Sequence, residues 1–293
     1  MDTNNATPNI AVADLPQGKV PYRFAGPATS SSPPVVFVHG LLVDGRLWDP
    51  VATRLAAEGI RSYAPTLPLG SHQSPMNSDA DLSPQGIAAL VRDFIEALGL
   101  SNVTIAGNDT GGAICQIMLG GDTSRIGAAV LTDCDAFGTF PPRGLAPLFL
   151  ALRHPAVVAF LAPQLRSKLV RHGPLAYGLL STGLDSELTR DWVGPLASKA
   201  IRHDLARFAT QVDSRVLLDA ASRFSQFTGP VRIAWGDADA YFGVRLGQQL
   251  SEAFPRASLT TVPGGRTFLP LDHPDVVAGE IMAAMHDMVP RRG

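Results

Sequence analysis

Cysteine is scarce in this chain, and lysine and arginine nowhere form a cluster within its interior. The two cysteines, Cys115 and Cys134, are too few for a disulfide framework and lack the spacing of metal ligands, so we expect buried free thiols. No motif predicts a metal or another cofactor. The 24 Lys and Arg residues nearly balance the 26 Asp and Glu residues, and Arg291-Arg292 is the only basic pair that stands out. Nucleic acid is therefore not an expected partner.

Long apolar runs are missing as well. The nearest candidate, residues 145–163, is broken by two prolines, an arginine and a histidine, so no membrane-spanning segment is expected. Residues 1–19 lack the basic and apolar segments of a secretory signal, and we interpret them as a flexible tail. Together with the low cysteine content, these features predict a cytoplasmic protein.

Residues 103–120, VTIAGNDTGGAICQIMLG, carry the strongest functional signal. An apolar strand-like run meets a turn of small residues and then an apolar helix-like run, with Asp109 at the apex between Gly107 and Gly111. This is the pattern of a nucleophile elbow, in which glycines let the turn approach neighbouring strands. A carboxylate at the apex favours attack on carbon, by displacement or ring opening. Taken alone, the segment is also compatible with an aspartate that only caps a helix.

Apolar runs alternate with helical patterns over residues 20–137 and again over residues 229–293, which predicts an α/β core with a mostly parallel sheet. Strand alternation disappears from residue 138 to residue 228, where Leu, Ala, Arg and Pro dominate. We interpret this block as a helical cap over the carboxyl edge of the sheet, where such folds bind ligands. The expected partner is a small-molecule substrate.

Four segments together resemble the α/β-hydrolase fold: VVFVHG at residues 35–40, the elbow, the loop LPLGSHQSP and the segment AWGDADAY. An aspartate at the elbow is similar to haloalkane dehalogenases and soluble epoxide hydrolases. The resemblance implies Asp109 as the nucleophile and Asp239 as the acid that orients a catalytic histidine. It also implies an oxyanion hole formed by the backbone N–H groups of Leu41 and Thr110.

Two positions depart from those enzymes. Where they carry the histidine in a pattern like Val-Pro-Gly-x-Gly-His-Phe, this chain has Val-Pro-Gly-Gly-Arg-Thr-Phe, with Thr267 in the histidine position and Arg266 before it. Threonine cannot act as a base near neutral pH, and arginine is always protonated. Thr110 stands where dehalogenases place a tryptophan that holds the halide, which disfavours dehalogenation. We expect Arg266 to pair with Asp239, because a buried unpaired guanidinium is costly.

The leading hypothesis is an enzyme that uses Asp109 on a small-to-medium apolar organic substrate, with epoxide hydrolysis ahead of dehalogenation. A second hypothesis makes Asp109 a general acid or base in a lyase, isomerase or cyclase reaction. A third is a ligand-binding protein that has lost part of the catalytic triad. A histidine of the helical block within one water of Asp109 would favour hydrolysis. Tyr177 and Trp192 of that block could reach a substrate oxygen, although core packing is the simpler interpretation.

Overall fold

The computed structural model describes residues 8–288. Its sheet has the strand order β1-β2-β4-β3-β5-β6-β7-β8. The β1–β2 and β2–β4 pairs are antiparallel and all the others are parallel, which confirms the predicted α/β-hydrolase fold. The strands are β1 Asn9–Leu15, β2 Gly18–Ala25, β3 Val35–Val38, β4 Ser62–Pro65, β5 Val103–Asp109, β6 Ile126–Cys134, β7 Val231–Gly236 and β8 Ala257–Val262.

Helices cover both faces of this sheet and form the segment between β6 and β7, together with short 3-10 turns. They are α1 Asp49–Ala57, α2 Pro84–Ala97, α3 Thr110–Leu119, α4 Ala146–Leu152, α5 Pro155–Leu161, α6 Lys168–Arg171, α7 Ser186–Val193, α8 Lys199–Thr210, α9 Arg215–Ala221, α10 Val244–Ala253, α11 Leu269–Asp272 and α12 Pro274–Met288.

Local sequence explains the elements that position the centre of the sheet. All four residues of β3 are buried, and so are the first six of β5, as expected for parallel strands that are covered on both faces. α2 begins where Ser83 Oγ accepts the backbone N–H of Gly86 at 3.0 Å, with Pro84 at the first helical position. α2 therefore starts at the predicted signal, and β5 lies in the interior of the sheet.

The predicted flexible tail is wrong over much of its length. Residues Asn9–Leu15 pair in antiparallel register with Gly18–Ala25, so a hairpin forms one edge of the sheet. Gly18 allows the tight turn because it adopts φ 139°, a conformation that is unfavourable for side-chain-bearing residues. Ala13 and Leu15 bury their side chains on the core, which stabilises the strand. Residues 1–7 of the predicted tail lie outside the described part.

Between β6 and β7 the described chain forms helices and one isolated bridge, between Ala136 and Thr139, and adds no strand to the sheet. Two buried aromatic residues attach this helical block to the core. Tyr177 donates its hydroxyl proton to Leu42 O, and Trp192 Nε1–H donates to Asp44 Oδ1 at 3.0 Å. Both side chains therefore serve the packing of the block on the core.

Among residues 8–288, no single helix has the length and apolar character needed to cross a bilayer. One pair of helices, Arg143–Leu152 and Pro155–Leu161, meets that criterion only when the two are taken together, and it is bent by 104°.

Candidate active site

The elbow places a carboxyl where β5 becomes α3. Asp109 ends the strand and occupies the N-cap position of the helix, with φ 54° and ψ −131° and no side-chain cap hydrogen bond. Positive φ is costly for a residue with a side chain, so the surrounding structure must hold it. A Cβ on Gly111 would overlap the carbonyl of Val38, and one on Gly112 would overlap the Cys134 side chain. The two glycines thus permit the close packing that the turn requires.

Asp109 keeps some accessible surface, although protein closely surrounds its carboxyl group. Its Oδ2 accepts the backbone N–H of Leu41 at 3.2 Å. Burial raises the pKa of Asp109 to about 7; hydrogen bonds from the Thr110 and Leu41 backbones oppose this rise, and the charge of Asp239 adds to it. Four predicted site residues therefore lie together: Asp109, Leu41, Thr110 and Asp239. Both protonation states of Asp109 are populated near neutral pH.

Thr267 carries a buried hydroxyl that already has a partner. Thr267 Oγ1–H donates to Asp239 Oδ2 at 2.7 Å, and Thr267 is fully buried. The other oxygen, Asp239 Oδ1, accepts the backbone N–H groups of Tyr241 at 2.6 Å and Phe242 at 2.7 Å. Burial nevertheless raises the pKa of Asp239 above its ordinary value. Asp239 thus binds the hydroxyl of Thr267, the residue that the sequence resemblance aligns with a histidine.

The predicted ion pair between Arg266 and Asp239 is wrong. Arg266 Nη1–H donates instead to the carbonyl oxygens of Gly178 at 3.4 Å and Ser181 at 3.3 Å, and it makes no ion pair within residues 8–288. The physical reason is that Thr267, one residue further on, occupies the place beside Asp239. Arg266 is only half-buried, so carbonyl groups and solvent can satisfy its guanidinium without a carboxylate.

Two further carboxyls at this edge were not singled out from the sequence. Asp133, in β6, accepts the Gly236 N–H at 2.9 Å through Oδ1, while its Oδ2 and both oxygens of Asp135 have no partner in the described chain. Burial raises the pKa of both well above the ordinary value; Asp239 adds repulsion to Asp133, and Asp109 adds it to Asp135. The Thr110 hydroxyl lies close enough to favour ionised Asp135, but without the geometry of a hydrogen bond.

A signal for these carboxyls was present in the sequence. They alternate at the end of the apolar strand β6, in LTDCDAF, and β6 pairs in parallel with β5, so that both strands end at the same edge. Asp109 lies opposite Cys134 in that register. Acidic residues that follow a buried parallel strand beside an elbow are therefore candidates for the same site.

Comparison with known families decides what kind of protein carries this site. The model of the alpha/beta hydrolase family matches residues 35–280. The chain belongs to this family.

Individual relatives of this α/β hydrolase are distant. An uncharacterized protein of Mycobacterium tuberculosis is 26% identical over 273 residues, which cover 84% of this chain and 73% of that protein. A protein of Mycobacterium phage D29 named "Putative non-heme haloperoxidase" is 24% identical over 280 residues, covering 92% and 94% of the two chains. The haloalkane dehalogenase DbeA from Bradyrhizobium elkani superposes with a TM-score of 0.77 at 17% identity, covering 95% of this chain and 99% of that one. This last likeness concerns the fold.

Two buried histidines of this α/β hydrolase, His39 and His72, have other partners. His39 contacts Gly40 O through Nδ1 at 2.8 Å and accepts the Leu67 N–H through Nε2 at 2.8 Å, and burial lowers its pKa to about 4. His72 Nε2 lies 3.3 Å from Asp204 Oδ2, in α8. In the described chain, no histidine is among the groups that shift the pKa of Asp109. His39 and His72 are therefore engaged with groups other than Asp109.

The cysteines are free and buried, as predicted. Within residues 8–288, no group of three or more His, Cys, Asp or Glu side chains is arranged to hold a metal ion.

We expect Thr267→Val to lower the free energy of unfolding by about 1–3 kcal/mol, because a side chain of the same shape leaves Asp239 Oδ2 without its donor. Urea unfolding at pH 7 measures this loss.

Arg266→Met and Asp239→Asn should lower the free energy of unfolding independently, so that their two losses add in the double variant, since the side chains do not touch. A coupling energy above about 0.5 kcal/mol between them would contradict the geometry.

Proposed function

We propose that this α/β hydrolase is an enzyme in which Asp109 acts as general acid and base in the isomerisation or cyclisation of a small-to-medium apolar epoxide. The product has the same atoms as the substrate. The observation that carries the proposal is the 2.7 Å hydrogen bond from Thr267 to Asp239. It engages Asp239 with a hydroxyl at the position where the resemblance implies a histidine base. It supports the second hypothesis from the sequence over ester hydrolysis.

The hydrolytic route needs a base that activates water against an ester of Asp109. Thr267 cannot serve, because its proton is donated to Asp239 and a hydroxyl is no base near neutral pH. Tyr177 cannot readily supply a proton to an epoxide oxygen, because its hydroxyl donates to Leu42 O. The acid–base route requires neither group.

In the proposed route, Asp109 alone both gives and takes back the proton. Protonated Asp109 donates its proton to the epoxide oxygen as one C–O bond breaks. The resulting carboxylate then takes a proton, either from an adjacent C–H to give an allylic alcohol, or from an internal hydroxyl that attacks the carbon to give a cyclic ether. Asp109 returns to its protonated state, and no water is consumed. A pKa of about 7 suits both proton donation and proton removal by Asp109, because a group that titrates near neutral pH can do either there.

The helical block of residues 138–228 acts in this proposal as a cap that excludes water. Three contacts support this role: Arg266 donates to Gly178 O and Ser181 O, and the Phe268 N–H donates to Leu180 O at 2.7 Å. They hold residues 178–181 against the loop that carries Thr267. A site with little water favours an internal reaction over attack by solvent.

Ester formation remains a second candidate, favoured by one observation. Asp109 Oδ2 is held by the Leu41 N–H at 3.2 Å, an arrangement that would orient a carboxylate for attack on carbon. The two routes differ in what happens to the oxygens of Asp109, since hydrolysis of its ester exchanges one of them with water.

The test is incubation of the chain with a panel of terminal epoxides and hydroxy-epoxides in heavy-oxygen water, followed by mass spectrometry of products and of the Asp109 peptide. On chromatography before the mass spectrometer, we expect a new product with the mass of the substrate, together with an unlabelled peptide. A diol with heavy oxygen in Asp109, or a lasting adduct on the protein, would overturn the acid–base route and establish ester formation. Binding without conversion would favour the ligand-binding hypothesis.

A further inference from the structure

The outer surface of the helical block is unusually apolar. Of twelve large hydrophobic side chains that the described chain exposes, eight lie between residues 150 and 179, and we call these eight the apolar outer face. Phe160 is 74% exposed, Leu169 86% and Leu175 95%. Single exposed apolar residues are ordinary on a protein surface, but a concentration of them marks an interaction site.

The helices that carry most of this face are neighbours in space as well as in sequence. α4 packs beside α5, and the 3-10 turn at Gln164–Arg166 contacts both α5 and α6. α4 and α5 place Phe149, Leu152 and Val158 in the core. Leu150, Val157, Phe160 and Leu161 of the same helices are exposed, so these helices carry a buried face and an exposed apolar face.

The charge of this segment has one sign. Residues 136–184 contain no Asp or Glu, although the whole chain has more acidic than basic residues. They contain five cations, of which Arg143, Arg153, Arg166 and Lys168 are exposed, while Arg171 is buried and bonded internally. Exposed apolar side chains with cations among them are typical of a surface that lies on an anionic membrane.

A cleft of about 1130 Å³ extends the positive charge at one border of the face. Five arginines line it: Arg23, Arg46 and Arg190 are in ion pairs with Asp49, Asp44 and Asp191, whereas Arg166 and Arg202 make no ion pair within residues 8–288. The buried Nε of Arg202 has no hydrogen-bond partner in the described chain. At this border the exposed Arg166 is therefore available to negatively charged head groups.

We infer that the apolar outer face binds the surface of an anionic lipid bilayer, independently of the reaction at Asp109. α5 has seven residues and is about 10 Å long, so it fits the interface and is far shorter than a hydrocarbon core of about 30 Å. A second copy of the chain is a poorer occupant. A two-fold interface through this face would bring the exposed cations of both copies into one contact area, with no acidic residue in either segment 136–184.

The test is sedimentation of the full chain with vesicles of phosphatidylcholine alone and with vesicles containing phosphatidylglycerol. We expect binding to the anionic vesicles that weakens as salt rises.

Arg166→Gln combined with Lys168→Gln should weaken binding to the anionic vesicles by about 30-fold. Phe160→Ser combined with Leu169→Ser should abolish it, since both side chains would enter the interface. Both are exposed, so the fold should survive.

Matched controls lie on other surfaces. Arg245→Gln removes an exposed cation from α10, and Leu218→Ser removes an apolar side chain of α9 that is 50% exposed; neither should change binding. Equal binding to both kinds of vesicle, or no effect of the variants in the face, would overturn the inference. So would a dimer in sedimentation velocity that Phe160→Ser dissociates, because a second copy would then cover the face.

Discussion

Asp109→Asn should reduce turnover of the substrate by about 10²–10⁴-fold, the contribution expected of a positioned acid–base group. The amide keeps the shape and the acceptor for the Leu41 N–H, but it can neither give nor take the catalytic proton. The variant should also be more stable at pH 8 by about 1–3 kcal/mol, because it removes a carboxylate whose ionisation burial opposes. Activity and stability thus move in opposite directions.

Initial rates and urea unfolding at pH 8 measure the two effects. Asp79→Asn, at an exposed position outside the site, serves as the control and should change neither. Near-normal turnover by the Asp109 variant would mean that the residue only caps α3. A slow return of activity over hours would instead indicate deamidation, which a mass spectrum of the stored protein would reveal.

The free energy of unfolding should fall by about 2–3 kcal/mol from pH 5 to pH 7 through Asp109 alone. Its pKa is about 7 in the folded chain and near 3.8 in the unfolded chain, so in this interval the folded state holds a proton that the unfolded state has lost. Stability is therefore greatest on the acidic side and decreases as pH rises towards 7. The raised pKa values of Asp133 and Asp135 act in the same direction.

Urea unfolding at pH 5, 6 and 7 gives this slope for the parent chain and for Asp109→Asn. Per pH unit, the free energy of unfolding should decrease by about 1.4 kcal/mol less in the variant than in the parent. Identical slopes would show that Asp109 ionises as readily in the folded chain as in the unfolded one. That result would also remove the argument for proton transfer by Asp109 near neutral pH.

The fold was predictable to a large extent because its signals are local. Ser83 and Pro84 mark the start of α2, and the apolar runs of β3 and β5 correspond to buried parallel strands. The N-terminal hairpin was missed because Asn9–Leu15 combines short alternation with small and polar residues. Its stability comes from pairing with Gly18–Ala25 at the sheet edge, which composition does not register.

The elbow itself was determined by the sequence, because a strand, flanking glycines and a helix are properties of neighbouring residues. The partners within the site were decided by tertiary structure. Asp239 meets Thr267 across 28 residues of sequence, while the adjacent Arg266 contacts the helical block. The pKa of Asp109 likewise depends on burial beneath distant segments and on the charge of Asp239. The spacing of residues along the chain encodes neither the partner of Asp239 nor the pKa of Asp109, since both depend on which side chains converge at the carboxyl edge of the folded sheet.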